Sequence, residues 1–299
     1  MPKNLFAKGG SVERGVFLDE RLLYPEHIPE RLPHREGELE SLAHCFKPIL
    51  NNRKPLNVFL AGPTGVGKTV CVKYVLSQLE ENHGRAKSLY LNCFEYNSRA
   101  SVLISLANFV GAAVPRRGLA TDEVFTNFLQ SLEKCNFTPV VVLDEVDQLL
   151  LVEENAKLLY DLLRVVEYGK NSIGVVLISN DVALTSKLDS RIRSSLAQQA
   201  IIFGPYTPQQ LKDILSERSE LAFAKNAYDR DIINVAAGHA AKLGGDCRVA
   251  LESLLKAGRI AERRNAAKVT VEHLRDAFDS VDAVSSLKAL KHLARGELL

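Results

Sequence analysis

The chain has 299 residues, 46% hydrophobic and 25% charged, enough for about two domains with a real core. Its 38 Lys and Arg against 36 Asp and Glu leave a net charge of +2, which excludes a histone-like wrapper and an acidic disordered tail. One Met, no Trp, 18 Gly and 11 Pro exclude collagen-like and low-complexity chains.

In chain order, residues 1–37 carry turn formers and Pro25, Pro29 and Pro33, and read as an extended N-terminal arm. From Glu38, the apolar positions Leu39, Leu42, Ala43, Phe46, Ile49 and Leu50 have helical spacing and stop near Asn51-Asn52. Short apolar runs follow at 56–61, 88–93, 139–143, 173–179 and 200–203, separated by helical patterns such as 70–79, 124–132 and 156–166. Nearly continuous apolar strands alternating with helices predict a parallel five-stranded sheet covered on both faces. This α/β core spans 38–205.

After Gly204-Pro205 the strand signal stops. Thr207-Pro208-Gln209-Gln210 fits a capping box with proline in the first helical position, opening a helix to about Ala224. Further helices are predicted over 231–243, ending at Gly244-Gly245, over 246–264, and from a Thr270 cap to about 281. They form a small all-helical domain over 206–281, with a tail over 282–299. Basic and acidic residues are nearly balanced on both sides of residue 205.

Five cysteines form no CxxC pair, and seven histidines show no HExxH or Cys/His spacing. Buried thiols in a reducing cytoplasm are expected, without a metal site built on these residues. The start, Met1-Pro2-Lys3-Asn4-Leu5, lacks an apolar signal core, and no apolar run nears the roughly 20 residues that span a bilayer, so no membrane partner is expected.

Gly62-Pro63-Thr64-Gly65-Val66-Gly67-Lys68-Thr69 satisfies G-x-x-x-x-G-K-[ST] between a predicted strand and a predicted helix, the context that confirms a P-loop. The glycines turn backbone N–H groups towards phosphate oxygens. Lys68 reaches the β- and γ-phosphates, and the Thr69 hydroxyl is a ligand for Mg²⁺. The matching half is Val140-Val141-Val142-Leu143-Asp144-Glu145, a buried strand with two acids at its carboxyl end. Asp144 holds Mg²⁺ through water, and Glu145 orients and deprotonates the attacking water. Together the two motifs point to Mg-dependent ATP hydrolysis.

Two further polar residues suit that chemistry. Asn180 ends the 173–179 strand at the same sheet edge and can position the attacking water, although an ordinary turn former would stand there too. Arg248 lies near the start of a helix in the second domain. It reads either as a solvated helix face or as a group that meets the γ-phosphate and couples domain closure to nucleotide state.

This set resembles the AAA+ ATPases, and its finer pattern is similar to the archaeal origin recognition complex/cell division control protein 6 family of replication initiators. The likeness rests on Val16-Phe17 through Leu32-Pro33-His34-Arg35-Glu36, the P-loop, and Gly118-Leu119-Ala120-Thr121-Asp122-Glu123-Val124. It continues through Leu143-Asp144-Glu145-Val146-Asp147, Arg191-Ile192-Arg193-Ser194-Ser195-Leu196, Phe203-Gly204-Pro205-Tyr206 and the 245–251 segment. The resemblance implies a P-loop core followed by a helical lid. It makes Asn180 sensor 1, Arg248 sensor 2 and Arg191 the arginine finger acting on a neighbour's ATP, with Arg193 the alternative finger. It lines the adenine pocket with the arm from Ile28 to Arg35 and adds Tyr206 to the nucleotide contacts.

It further implies ATP/ADP and Mg²⁺ as ligands, double-stranded origin DNA and the replicative helicase as partners, assembly with its own kind or other initiators, and a cytoplasmic, nucleoid-associated location. A helical initiator-specific insertion maps to 95–119, where Arg99, Arg116 and Arg117 stand against the single acid Glu95 and either pair with phosphates or are solvated. Family members usually continue into a C-terminal winged-helix domain, which would only be starting near Leu287–Leu293. Two other readings share the Walker motifs: a clamp-loader-like subunit, expected to carry Ser-Arg-Cys where this chain has Arg191-Ile192-Arg193-Ser194, and a nucleotide-switched adaptor with little turnover.

Overall fold

The computed structural model describes residues 15–168, 171–196 and 199–278. The first 14 residues of the predicted arm, the end of the fourth predicted lid helix and the 282–299 tail lie outside the described residues. Two compact units form, Leu32–Pro205 and Met1–Arg31 with Tyr206–Leu299.

The first unit runs α1 (Glu36–Phe46), β1 (Val58–Ala61), α2 (Lys68–Asn82), β2 (Ala86–Asn92), α3 (Arg99–Phe109), α4 (Thr121–Glu133) and β3 (Thr138–Asp144). It continues with α5 (Val146–Leu149), α6 (Ala156–Leu163), β4 (Gly174–Ser179), α7 (Leu184–Lys187), α8 (Ser190–Leu196) and β5 (Ala200–Ile202). The five strands form one parallel sheet in the order β2-β3-β4-β1-β5. The strand after the P-loop helix therefore lands at the sheet's far edge, and β1 sits between β4 and β5. That reversal of strand order is where ligands bind in open parallel sheets.

Side chains alternate across the sheet and separate two cores. Val58, Leu60, Val140, Val142, Val176 and Ile178 pack with Leu42, Phe46, Val72 and Leu76 of α1 and α2. Phe59, Ala61, Val141, Leu143, Val175 and Leu177 pack on the opposite face with Leu103, Leu106, Phe128, Leu159 and Leu162 of α3, α4 and α6. The inner strands β3, β4 and β1 are dry on both faces and read as nearly unbroken apolar runs, whereas edge strands β2 and β5 expose Lys87 and Ile202.

Helix α1 begins at Glu36, two residues before the predicted start, and tightens into a 3₁₀ turn over Lys47–Asn51 that ends on Asn52 at φ 53°. Helix α3 is capped by Ser98, whose hydroxyl accepts from the Ser101 N–H. Its apolar residues Val102, Leu103, Ile104, Leu106 and Ala107 are not confined to a narrow stripe, so periodicity does not reveal it.

The second unit packs α9 (Pro208–Ala222), α10 (Asp231–Lys242), α11 (Cys247–Arg263) and a helical run over 271–278 around one core. Thr207 and Gln210 exchange side chain-to-backbone bonds of 3.3 and 2.9 Å at the start of α9, with Pro208 in the first turn. The predicted capping box is present. Asp246 caps α11 by accepting from the Arg248 N–H at 2.9 Å.

Residues 15–24 differ from the extended arm expected of them. Val16 and Leu23 are buried in the helical core, and a 3₁₀ turn forms over Glu20–Leu23. The Leu18 N–H donates to the Ala222 carbonyl at 2.8 Å, and the Ala224 N–H donates to Val16 at 2.8 Å. Buried Arg218 donates to the carbonyls of Leu22 and Tyr24, and Arg259 pairs with Glu20 at 2.9 Å. Phe17 stacks on Phe223 with ring centroids 5.0 Å apart and presses so close to Gly258 that a Cβ there would lie 2.1 Å from its ring. The stretch predicted as one arm over 1–37 is thus divided, with 15–31 grouped with the helices and 32–37 with the sheet unit. Apolar Val16, Phe17, Leu22 and Leu23 supply the reason, since they need a core. Among the described residues no helix is long and apolar enough to cross a membrane.

Candidate nucleotide site

Strand β1 delivers residues 62–67 to the carboxyl end of the sheet, and α2 begins at Lys68. Three glycines in this loop take positive φ, namely 150° at Gly62, 71° at Gly65 and 93° at Gly67. At Gly62 a side chain is also excluded by space, because a Cβ would lie 2.2 Å from the Phe203 carbonyl oxygen. Gly67 is the N-cap of α2 and has no side chain to satisfy the first turn, leaving its N–H groups to face a ligand.

Lys68 is buried, and its ammonium donates to the carbonyls of Gly62 and Pro63 at 2.6 Å each and to Asn180 Oδ1 at 2.9 Å. The ammonium thereby joins the P-loop to the end of β4. Beside it the Thr69 hydroxyl donates to Asp144 Oδ2 at 2.6 Å, joining α2 to the end of β3. Asp144 is buried, and its other oxygen accepts from the Glu145 N–H at 2.9 Å. Glu145 holds φ 55°, an unusual region for a residue with a side chain, at the turn from β3 into α5. Such strain at the end of a buried strand is the mark of a functional turn.

Further contacts that no motif announces surround these groups. The Tyr90 hydroxyl donates to Asp144 Oδ2 at 2.5 Å, and Lys73 lies 4.4 Å from the Tyr90 ring centroid. Burial first, and the Asp144 carboxylate second, push the Tyr90 phenol well above its ordinary value, so it stays a proton donor. Buried Ser179 donates to Asp147 Oδ1 at 2.9 Å and accepts from the Asp181 N–H at 3.0 Å, fixing the turn that carries Asn180. Burial likewise pushes the thiols of Cys71 and Cys93 up to about 12, and all five cysteines are free. Only the strand pairing, with Asn92 opposite Asp144 in β2–β3, brings Tyr90 to this site.

The other expected site residues are distributed over both units. Arg35 is buried and committed to main chain, donating to the Val66 and Gly204 carbonyls at 3.0 and 2.9 Å and to Glu38 at 2.8 Å. It ties the P-loop to the end of β5. Arg191, on α8, is exposed, pairs with Asp189 at 3.1 Å and lies 5.4 Å from the Tyr160 ring. Arg193 is exposed on the same helix. Ile28, Tyr206 and Arg248 belong to the helical unit, where Ile28 is exposed, Tyr206 is buried, and Arg248 pairs with its own cap Asp246 at 3.1 Å.

For the three arginines of the 95–119 window the structure separates two roles. Arg99 is a structural residue: its side chain, mostly buried, meets Asp161 at 2.9 Å and Asp122 at 2.9 Å, so it is not disposed to take a phosphate. Arg116 and Arg117 are exposed in the turn between α3 and α4.

Comparison with known proteins identifies the family to which the fold belongs. Residues 51–187 match an AAA domain, and residues 212–279 match the Cdc6 AAA+ ATPase-type lid domain. An ORC1-type DNA replication protein 1 of Archaeoglobus fulgidus is 38% identical over 283 residues, covering 93% of this chain and 69% of the relative. One of Sulfurisphaera tokodaii is 36% identical over 264 residues, covering 88% and 66%. The chain thus spans about two thirds of the length of these relatives. Among solved structures, the Aeropyrum pernix ORC1 protein in complex with DNA superposes with a TM-score of 0.84 at 35% identity, over 90% of this chain and 71% of that one. Cdc6p from Pyrobaculum aerophilum gives 0.81 at 26% identity, over 89% and 72%. With a parallel P-loop core, a matching lid and relatives this similar along most of the sequence, the chain belongs to the ORC1-type/Cdc6 family of AAA+ DNA replication proteins.

Proposed function

We propose that this chain is an ATP-binding, slowly hydrolysing replication initiator that binds origin DNA and helps load the replicative helicase. The observation that carries the ATPase half is the pair of bonds Lys68–Asn180 and Thr69–Asp144, which draw the ends of three strands around one loop of inward-facing backbone. Lys68 supplies charge to the β/γ-phosphates, and Asn180, already on the Lys68 ammonium, is placed to sense the same phosphates and orient water. Glu145 takes the proton of that water.

The Thr69 hydroxyl and Asp144 carboxylate are hard oxygen donors of the kind Mg²⁺ prefers, and they would hold it here. When bound, the ion neutralises charge on the phosphate oxygens. Arg191 acts on a neighbour's nucleotide rather than its own, so an isolated protomer lacks its full charge complement and turns over slowly. Ile28, Tyr206 and Arg248 are the further nucleotide contacts that the family resemblance implies, and Arg35 braces the P-loop through its bonds to the Val66 and Gly204 carbonyls.

The DNA half is supported by the likeness to a protein solved in complex with DNA. The exposed Arg116 and Arg117 are the phosphate-binding candidates. A protein with this role works in the cytoplasm at the nucleoid and assembles with other initiators. The test is an electrophoretic shift on mixed-sequence and candidate origin duplexes, with and without ATP. Preferential, ATP-sensitive retention of origin DNA is expected. Lys68→Ala, losing one charge-assisted contact worth roughly 1.5–3 kcal/mol, should weaken ATP binding about tenfold or more and abolish the ATP effect. Identical shifts on both duplexes in every nucleotide state would overturn the reading.

A further inference from the structure

The α2 face of the sheet carries a chain of contacts, from Lys73 through Tyr90, that leads into the Asp144 carboxylate. Thr69 and Lys73 lie four residues apart on α2 and so project from the same side of that helix. Thr69 reaches Asp144, while Lys73 reaches the ring of Tyr90 on β2 at 4.4 Å. Tyr90 stands opposite Val142 in the β2–β3 register, two residues before the Asn92–Asp144 pair, on the face that Val142 shares with Asp144. Its hydroxyl therefore points along the strand into the carboxylate.

The direction of that bond is fixed. A carboxylate only accepts, so the Tyr90 hydroxyl is the donor in its bond to Asp144 Oδ2. Of the three donors on Asp144, the Glu145 N–H takes Oδ1, and Thr69 and Tyr90 share Oδ2. Thr69 has lone pairs to offer a cation. Tyr90 reaches the carboxylate from another strand, β2, and spends its proton on it.

We infer that Tyr90 is a positioning residue for the Mg²⁺ side of the site, its hydroxyl locking the Asp144 carboxylate in place and Lys73 bracing its ring. This rests on the assignment of 62–69 and Asp144 to nucleotide and Mg²⁺. Without Tyr90, Oδ2 keeps only the Thr69 hydroxyl, itself a cation ligand, while Oδ1 keeps the Glu145 N–H, so the cost falls on cation binding rather than on the backbone cradle. Tyr90 thus acts through Asp144.

The experiment measures the affinity of the full chain for a fluorescent ADP analogue in EDTA and again in Mg²⁺. Tyr90→Phe differs by one oxygen. It should keep the Mg²⁺-free affinity within about twofold and lose about tenfold of the gain that Mg²⁺ gives, the size of one hydrogen bond to a charged group. Lys73→Met should lose about twofold in the same direction. An unchanged Mg²⁺ gain in Tyr90→Phe overturns the inference. So does an equal loss with and without Mg²⁺, which marks a merely structural side chain. Lys68→Ala is run alongside. If it binds the analogue as wild type does, the nucleotide assignment itself fails, and Tyr90 falls with it; a strong Lys68→Ala defect beside an unchanged Tyr90→Phe ratio isolates the failure to Tyr90.

Discussion

The sheet unit and the helical unit both bury polar side chains, and they do so to different ends. In the sheet unit, Lys68, Asp144 and Ser179 gather at one end of the strands and bond to residues from other strands, loops and helices. In the helical unit three of the buried polar groups serve the main chain, while the buried Ser219 hydroxyl meets no hydrogen-bond partner among the described residues. Arg218 holds the Leu22 and Tyr24 carbonyls, Ser253 donates to the Val249 carbonyl at 2.7 Å, and His273 bonds Thr270 at the start of the last described helix. Polar burial concentrated where strands converge marks chemistry; polar burial spread along helices marks architecture. Arg99 tests the rule from inside the sheet unit, since its ion pair with Asp161 is buried, lies away from the P-loop contacts and is architectural.

The largest effect that would sharpen this contrast concerns Arg191. If the sheet unit is only half of a composite site, Arg191→Ala leaves ATP binding intact and removes the rise in specific ATPase activity with protein concentration, a loss of up to about 10³–10⁵ in rate. Glu145→Gln should keep ATP bound while removing the proposed base. Mixing the two variants restores interfaces with an intact base and an intact finger, and activity partly returns. A mixture as inactive as either variant, where wild type assembles, would show Arg191 to be a local partner of Asp189 and Tyr160.

The next effect is on stability rather than turnover. Asp161→Ala strands the Arg99 guanidinium with only exposed Asp122, and breaking a buried pair from one side costs about 3–5 kcal/mol. Urea unfolding followed on the sheet unit should show that loss, with nucleotide affinity at sub-denaturing conditions unchanged. A loss of DNA binding without a loss of stability would return Arg99 to the phosphate-binding candidates.

How far the sequence foretold this contrast follows from the physics of each element. The inner strands were legible because both of their faces are dry, and α9 because Thr207, Pro208 and Gln210 announce a helix start in four residues. The P-loop and the 140–145 strand were legible because phosphate binding needs fixed residue types at fixed spacing. Helices α5 and α7 were not, since four residues carry no period. Tyr90 was invisible for a different reason. A tyrosine in an apolar run looks like core until the strand order places β2 beside β3 and the register sets Asn92 against Asp144. The fold of 15–24 onto the helices depends on Gly258, whose missing side chain makes room for Phe17 more than 200 positions earlier, and no local pattern carries that information.

The smallest effect belongs to the helical unit and probes whether its polar groups are architectural throughout. Thr207 and Gln210 satisfy one another's backbone N–H groups, with Oγ1 accepting from Gln210 at 3.3 Å and Oε1 accepting from Thr207 at 2.9 Å. Thr207→Ala removes the first bond and leaves an open N–H in the first turn of α9, a loss of about 1 kcal/mol. Thr207→Ser keeps the hydroxyl and should be near neutral. Gln210→Ala removes the reciprocal bond, and because each side chain holds the geometry the other needs, the double variant should lose less than the two single losses together. Chemical denaturation of the four proteins measures this coupling, and ATP titration of the same samples should give one affinity. Were Thr207→Ala instead to change ATP affinity while stability held, the first turn of α9 would be part of the nucleotide machinery, and the division between a chemical unit and an architectural one would have to be drawn inside the lid.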